Sequence, residues 1–481
     1  MRYRPVIGLE IHLELNTASK MFCGCSTAFG SNPNTHCCPV CLGLPGSLPV
    51  LNRRALELGI KAARALKAQV ERVSRFDRKN YFYPDLPKAY QISQYDLPLA
   101  REGTVVIPAA EGERSVRIER AHLEEEAGKL IHAGGSIMEA EHSLVDYNRS
   151  GIPLMEIVTA PDLCSGEEAH IFLNELRLLL LYNQISDCRM EEGSLRCDAN
   201  ISLSSEDEAK LGTKVEIKNM NSFRAVKMAL DYEIQRQKEL LASDQAIIQE
   251  TRHWDEDKKE TFSMRGKEEA SDYRYFPEPD LPPVELDQAW IKEVEQELTE
   301  PPQERRRRLQ VQYGLGKNEV EILISTPELG FFFEKAAADF SDFRELANWV
   351  TGEVMRIIHQ NDLDLPELNP SFLVETLSML EESIINRSVA KEILEEALLR
   401  EEKPRKLVES RNLGKITGAE ALTPWAEEVL QENPKAKSSY LEGKKKALDF
   451  LIGQVMAKTR GRADPEEVKN ILQDKINGVS E

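Results

Sequence analysis

At Pro282-Pro283 the chain changes its hydrophobic period, and that change divides the protein into two kinds of structure. Upstream, Leu9, Ile11, Leu13 and Leu15 alternate with Glu10, His12 and Glu14, the period of a strand with one face buried. Downstream, Phe343, Leu346, Val350, Val354 and Ile357 recur at three and four residues, the period of a buried helical stripe. That helical pattern runs to about Lys406, and a last segment begins near Asn412, with Pro424 and Pro434 marking helix boundaries. A chain of 481 residues exceeds what one core normally supports. The patterns predict an α+β protein in three parts: 1–294, 295–408 and 409–481.

Within the first part, short helices are expected near 52–68, after Ser165-Gly-Glu-Glu168 and after Ser222, because Ser accepts from the first free N–H groups of a helix. The remainder reads as strands that carry carboxylates. Glu10 and Glu14 flank His12 on one strand face, and that pattern suits either a solvated surface or a divalent cation. Glu124, Glu125 and Glu126 follow His122, and Glu156 sits alone in the apolar run Leu154-Met-Glu-Ile-Val. A lone acid among apolar neighbours is costly without a partner, which singles out Glu156. Asp198 and Glu216 recur in similar strands.

Two loops are dense in chemistry-bearing side chains, RFDRKNYFYPDLPKAYQISQY from Arg75 to Tyr95 and RMEEGSLRCDANIS from Arg189 to Ser202. In the first, Tyr81, Phe82, Tyr83, Tyr90 and Tyr95 interleave with Arg75, Arg78, Lys79 and Lys88, a mixture that binds nucleotides by stacking and charge or simply packs the loop. No Walker-type loop and no G-x-G-x-x-G is present. A carboxylate-rich sheet can still handle ATP when Mg²⁺ bridges the phosphates and lysines neutralise developing charge.

Four of the eight cysteines fall as Cys23-Gly-Cys25, twelve residues, then Cys38-Pro-Val-Cys41. Paired thiolates separated by a loop are how a chain wraps a tetrahedral Zn²⁺, and His36 and Cys37 stand close enough to substitute for one ligand. Four protein ligands leave no open position, so such a metal is structural.

Five segments together resemble one family: VIGLEIHLEL near the start, the Arg75–Tyr95 loop, HLEEEAGKL at 122–130, the Arg189–Ser202 loop and VEIKNMNSF at 215–223. The family is the B subunit of the bacterial tRNA-dependent amidotransferase, and the resemblance runs nearly end to end. It implies a glutamine-synthetase-like antiparallel-sheet cradle, an all-α helical domain and a small all-α tail of YqeY type. It implies ATP-dependent phosphorylation of the side-chain carboxylate of misacylated Glu-tRNA(Gln) or Asp-tRNA(Asn). Ammonia from a partner glutaminase A subunit then completes the amide, with a small C subunit closing the heterotrimer. By position in the matching motifs, Glu10, His12 and Glu125 are implied as Mg²⁺ ligands. Glu124, Glu156, Asp198 and Glu216 are implied as the rest of an acidic wall, Lys79 and Tyr81 as substrate-facing, and Lys79, Lys88 and Lys214 as the nucleotide's lysines. The zinc knuckle is a feature of some members, and all four cysteines stand here. The chain is too short for the large domain inserted in the archaeal relative.

A net charge of −20 is unusual for a protein that meets RNA. From Lys435 to Arg462, however, eight basic residues face only Glu442 and Asp449, so tRNA contacts are expected at Lys444, Lys445, Lys446, Lys458, Arg460 and Arg462. The Arg305–Arg308 run reads as a solvated helix face. No apolar run is long enough to span a bilayer, and the start lacks the apolar core of a signal peptide, so a cytoplasmic protein is expected. The rival reading is a non-catalytic, zinc-containing tRNA-binding protein. It leaves six acids, Glu10, Glu124, Glu125, Glu156, Asp198 and Glu216, facing an anionic ligand.

Overall fold

The computed structural model describes residues 3–109, 112–132, 142–205, 211–264, 273–416 and 418–478. These form two compact units, 1–304 and 305–481.

The first unit is built on strands β1 (Tyr3–Glu14), β2 (Gln69–Val70), β3 (Val73–Ser74), β4 (Asp77–Asn80), β5 (Tyr90–Ser93), β6 (Ala100–Ala109), β7 (Gly112–Glu125), β8 (Lys129–His132), β9 (Ser143–Asp146), β10 (Pro153–Thr159), β11 (Leu195–Ser205), β12 (Val215–Lys218), β13 (Glu250–Asp255), β14 (Glu260–Ser263), β15 (Phe276–Pro277) and β16 (Val284–Glu285). Its large sheet runs β14-β13-β12-β11-β1-β10-β7-β5-β4-β15, with β6 on β7 and β2 on β6. Pairing is antiparallel except between β12 and β13, so the sheet is mixed and not the purely antiparallel one expected. The long α3 separates those two strands in sequence and brings the chain back to start β13 in the same direction as β12.

β1 lies in the interior of the sheet, between β10 and β11. Ile7, Leu9, Ile11 and Leu13 are fully buried on its apolar face. They share one core with residues of α1 (Arg53–Ala65), α2 (Gly166–Tyr182) and α3 (Phe223–Ala242), among them Leu58, Phe172, Leu176 and Val226. Asn52 caps α1; the Ser165 hydroxyl accepts from Glu168 N–H at 3.1 Å and the Ser222 hydroxyl from Ala225 N–H at 3.0 Å, the two caps that the sequence predicts. With helices covering one face, Glu10, Glu124, Glu156, Asp198 and Glu216 are collected on the other. Helix α4 (Gln288–Gln296) closes the unit, which runs on past the expected boundary at 294.

The second unit is helical: α5 (Pro302–Tyr313), α6 (Lys317–Leu323), α7 (Pro327–Ala337), α8 (Phe343–Asn348), α9 (Met355–Asn361), α10 (Pro370–Glu381), α11 (Arg387–Arg400), α12 (Pro404–Ser410), α13 (Ala419–Glu432), α14 (Pro434–Leu441), α15 (Lys446–Lys458) and α16 (Pro465–Asn477). A π-helical turn, Trp349–Val354, joins α8 to α9 and keeps Val350 and Val354 buried. The last four helices enclose a core of their own, with Leu422, Val429, Leu451, Val455 and Leu472. Pro434 begins α14 as expected, but Pro424 lies inside α13. The helix there gives up only the one bond that residue 424 would have made to the carbonyl of residue 420. The arginine run is also corrected. Arg305 is buried beside Glu334 at 3.3 Å, Arg308 also reaches Glu334, and Arg306 binds Glu321 at 2.8 Å. Among the described residues no helix is long and apolar enough to cross a membrane.

Candidate active site

Antiparallel register does the work of assembling the polar face. His12 lies opposite Glu156 of β10 on one side and Arg196 of β11 on the other. Glu156 lies opposite His122 of β7. Glu124, two residues beyond His122, points to the same face because side chains alternate along a strand. The result is a group of two imidazoles and two carboxylates. His12 Nε2 stands 3.4 Å from Glu156 and 3.7 Å from Glu124, and His122 Nε2 stands 3.6 Å and 3.8 Å from the same pair. Ser93 donates to Glu124 at 3.1 Å, and Arg120 reaches Glu156 at 3.4 Å.

Burial works against the ionised form of Glu156, but the hydrogen bond from His12 and the charges of His122, His12 and Arg120 outweigh it and hold the carboxyl well below the usual range. Glu124 is lowered similarly, against burial, by His122, His12 and Lys79. Burial opposes protonation of His12, yet the two carboxylates raise its pKa. Two carboxylates kept ionised beside an imidazole make a donor set for a hard divalent cation, and one ligand atom from each of His12, Glu124 and Glu156 lies within 4.8 Å of the others. The residues fit Mg²⁺.

A second cluster continues along the same face. Glu10 lies opposite Asp198, and Asn200 opposite Glu216. Lys218 bridges Asp198 and Glu216, the latter at 3.0 Å, while Asn200 donates to Glu10 at 3.0 Å and Thr251 to Glu216 at 2.7 Å. Burial lowers the Lys218 pKa, but its two carboxylate partners outweigh this and keep it charged. Aromatic side chains rim the face. Tyr95 stacks on Tyr275 at 4.1 Å, Tyr81 meets Tyr273 edge-on at 5.8 Å, and the Lys79 ammonium lies 5.1 Å from the centre of the Tyr273 ring. The Tyr275 phenol is pushed up by burial, Glu124 and Glu156, and the Tyr81 phenol by burial, Asp85, Tyr273 and Glu124. Both hydroxyls therefore stay protonated and available to donate.

The four cysteines meet on a separate loop. Their sulfur atoms all lie within 4.8 Å of one another, and the Cys38 and Cys41 sulfurs are 3.9 Å apart. Tetrahedral Zn–S bonds of about 2.3 Å imply a separation of about 3.8 Å. The Cys23 thiol, the Cys38 N–H at 3.2 Å and the Lys20 ammonium at 3.7 Å favour the thiolate of Cys41 against burial. The set fits zinc. Neither His36 nor Cys37 belongs to it, and all eight cysteines are free thiols.

Residues 5–292 match the GatB/GatE catalytic domain family, and residues 331–476 match the GatB domain family. The B subunit of the aspartyl/glutamyl-tRNA(Asn/Gln) amidotransferase of Carboxydothermus hydrogenoformans is 50% identical over 98% of this chain and 99% of its own. The B subunits of the same amidotransferase from Moorella thermoacetica and Thermotoga maritima are 48% and 46% identical, each over 99% of this chain and the whole of theirs. The chain belongs to the amidotransferase B-subunit family.

This family member differs from the sequence reading in which acids meet His12. The structure does not bring Glu10 and Glu125 into the group with it. Glu125 follows Glu124 on β7, so alternation turns it to the opposite side, where its carboxylate accepts from Ile92 N–H at 2.9 Å and pairs with the buried Lys88. Glu10 is directed to Asn200 and Asp198. Lys79 and Tyr81 do reach the rim of the polar face. Lys214 is exposed just before β12, and the lysine among the acids is Lys218. His122, Arg120, Arg196, Lys218, Tyr273 and Tyr275 were not assigned from sequence. Four of them carried a signal: each stands two residues from an assigned acid or from another of the four, hence on the same strand face. Tyr273 and Tyr275 stand in a Pro-rich loop that no period could place.

In the tail of this family member, Lys444, Lys445, Lys446 and Arg460 are exposed. Lys458 is held by Glu428 at 2.8 Å and Glu432 at 2.7 Å, and Arg462 donates to the carbonyls of Thr459 at 3.1 Å and Asn412 at 2.6 Å.

Proposed function

We propose that this chain is the transamidating subunit of a tRNA-dependent amidotransferase, acting on misacylated Glu-tRNA(Gln) or Asp-tRNA(Asn) together with a glutaminase A subunit and a small C subunit. The observation that carries the reading is the group of half-buried His12 with buried Glu124, Glu156 and His122, continuous along one sheet face with Glu10, Asp198, Glu216 and Lys218. The names of the relatives supply the reaction class. In this reading residues 1–294 are a glutamine-synthetase-like cradle, 295–408 a helical domain and 409–481 a YqeY-like, tRNA-gripping tail.

The chemistry explains the residue types. Attack of the substrate's side-chain carboxylate on the γ-phosphorus of ATP brings anions together, so the site needs fixed positive charge more than a strong base. His12, Glu124 and Glu156 would hold Mg²⁺, and a bound Mg²⁺ neutralises phosphate charge. Lys79 stands at the rim to take a phosphate oxygen or the substrate carboxylate, and the protonated Tyr81 and Tyr275 hydroxyls donate to either. The tyrosine rings limit water around the acyl phosphate. Ammonia attack on that intermediate expels phosphate and leaves one proton, for which a carboxylate of the Glu10–Asp198–Glu216 cluster is an acceptor on the same face. Cys23, Cys25, Cys38 and Cys41 would hold a structural Zn²⁺ and take no part in the chemistry.

The test is the dependence of ATP turnover on substrate. ATP should be cleaved rapidly only with misacylated tRNA, Mg²⁺ and the partner subunits all present, with amidated tRNA as product. An assembled complex that amidates tRNA without consuming ATP overturns the reading. The rival, a protein that only binds tRNA, is disfavoured because it gives no role to two ionised carboxylates kept buried together on one sheet face.

A further inference from the structure

We propose that Tyr147 is the positioning residue through which the four-cysteine knuckle sets the conformation of the 81–88 loop. That loop carries Tyr81 on the polar face and Lys88 beside Glu125, so the knuckle would act on the site without touching it.

Tyr147 is tied to both partners by separate atoms. On the knuckle side, its backbone carbonyl accepts from Lys20 at 3.2 Å. Lys20 is a completely buried lysine whose other two bonds go to the carbonyl of His36, at 2.7 Å, and to the sulfur of Cys41, at 3.7 Å. The Tyr147 N–H donates to the side chain of Asn34 at 2.8 Å, and Asn34 also binds Asp146 at 2.9 Å and the carbonyl of Val145 at 3.0 Å. On the loop side, the Tyr147 hydroxyl donates to the carbonyl of Pro84 at 2.8 Å. A proline-rich turn has few donors of its own to fix its shape, so an external donor on its carbonyl has leverage. Next to it, Gly128 N–H donates to the carbonyl of Asp85 at 2.9 Å. A second contact arrives independently: Gly43, in the left-handed region at φ +65°, lies against the Lys88 stem so closely that a Cβ there would overlap it.

An ordinary buried ammonium needs acceptors or an anion. Lys20 has both only when the knuckle is folded, since Cys41 is one of its four sulfurs and His36 lies in the loop that they close. Loss of the knuckle would leave Lys20 without two of its three partners and free Tyr147 to shift. The loop would then lose its fixed carbonyl contact at Pro84.

The test is hydrogen–deuterium exchange on the full-length chain, with zinc content measured alongside. Tyr147→Phe removes only the hydroxyl. It should leave zinc bound and residues 20–43 as protected as before, while amides of 81–89 and Gly128 exchange about fivefold faster, the factor expected for one lost hydrogen bond. Removing zinc with a chelator should raise exchange in both 20–43 and 81–89 of the natural chain. In Tyr147→Phe the chelator should raise exchange in 20–43 as much but add much less in 81–89, because the route is already cut. Equal chelator effects on 81–89 in the two proteins overturn the proposal, as does a Tyr147→Phe loop that stays fully protected. No activity is read, so failure of this proposal and failure of the transamidation reading remain distinguishable.

Discussion

The cluster around His12 and the cysteine knuckle are both metal-fitting groups in one structural unit, yet they are built in opposite ways. The knuckle draws its four sulfurs from nineteen consecutive residues, so the loop needs no sheet to define which thiols meet. The His12 cluster draws from β1, β7 and β10, with His12 more than a hundred residues from His122, Glu124 and Glu156 in sequence, and exists only because their register is fixed. The knuckle spends all four ligand positions on protein and is closed. The other cluster offers three ligand atoms from protein, and a cation held there would keep coordination positions for other ligands. Local assembly gives a closed four-sulfur set, and long-range assembly gives a three-ligand set that fills no coordination sphere by itself.

The strongest way to break that contrast is to remove one member of each group. His12→Ala or Glu156→Gln should lower tRNA amidation by roughly a thousandfold while glutamine hydrolysis in the partner subunit continues. Full amidation by either variant at limiting Mg²⁺ would defeat the assignment of a catalytic centre. Cys38→Ser should take zinc from about one per chain to none and lower the melting temperature, with amidation in the folded fraction falling about tenfold or less. A zinc-free variant as inactive as His12→Ala would erase the distinction between the two groups.

Neighbouring acids sharpen it further. Glu124→Gln should raise the Mg²⁺ concentration needed for half-maximal amidation by about tenfold, because it removes a charged ligand atom. Glu125→Gln should leave that Mg²⁺ dependence unchanged, whatever it does to stability through the unpaired Lys88. An equal shift for both would restore Glu125 to the metal group.

The smallest effects belong to the tail, where the exposed run Lys444–Lys446, with Lys444 beside the equally exposed Glu442 at 3.3 Å, can be set against Lys458, held by two carboxylates. Replacing Lys444, Lys445 and Lys446 by Ala should weaken tRNA binding modestly and reduce the salt slope by up to about one per lost phosphate contact. Lys458→Ala should leave the slope nearly unchanged, because Glu428 and Glu432 already hold that ammonium. Equal slopes for the triple variant and the natural chain would remove the tail from tRNA recognition.

What was legible in the sequence followed from local rules. The strand period of Leu9 to Leu15, the caps at Ser165 and Ser222 and the cysteine spacing are each decided within a few residues, so all three were visible before any fold was known. The same locality explains the errors. A run of three glutamates looks like one site on paper, but alternation along β7 sends Glu124 and Glu125 to opposite sides of the sheet. The Arg305–Arg308 run looks solvated until α6 and α7 supply Glu321 and Glu334 as partners. A proline counted as a boundary lies within α13, where burial of Leu422, Ala426 and Val429 offsets the lost hydrogen bond and the crowding at the carbonyl of residue 420.

The sequence by itself determined the family, the division into sheet and helix, and the clusters of acids, aromatics and cysteines, since each is carried by short-range pattern. Only the tertiary structure decided that His12 meets Glu156, Glu124 and His122, that Lys218 and not Lys214 joins the acids, and that Tyr273 and Tyr275 complete the rim. Those choices depend on strand order and register, and a shift of one residue in register would turn every side chain of a strand to the other face.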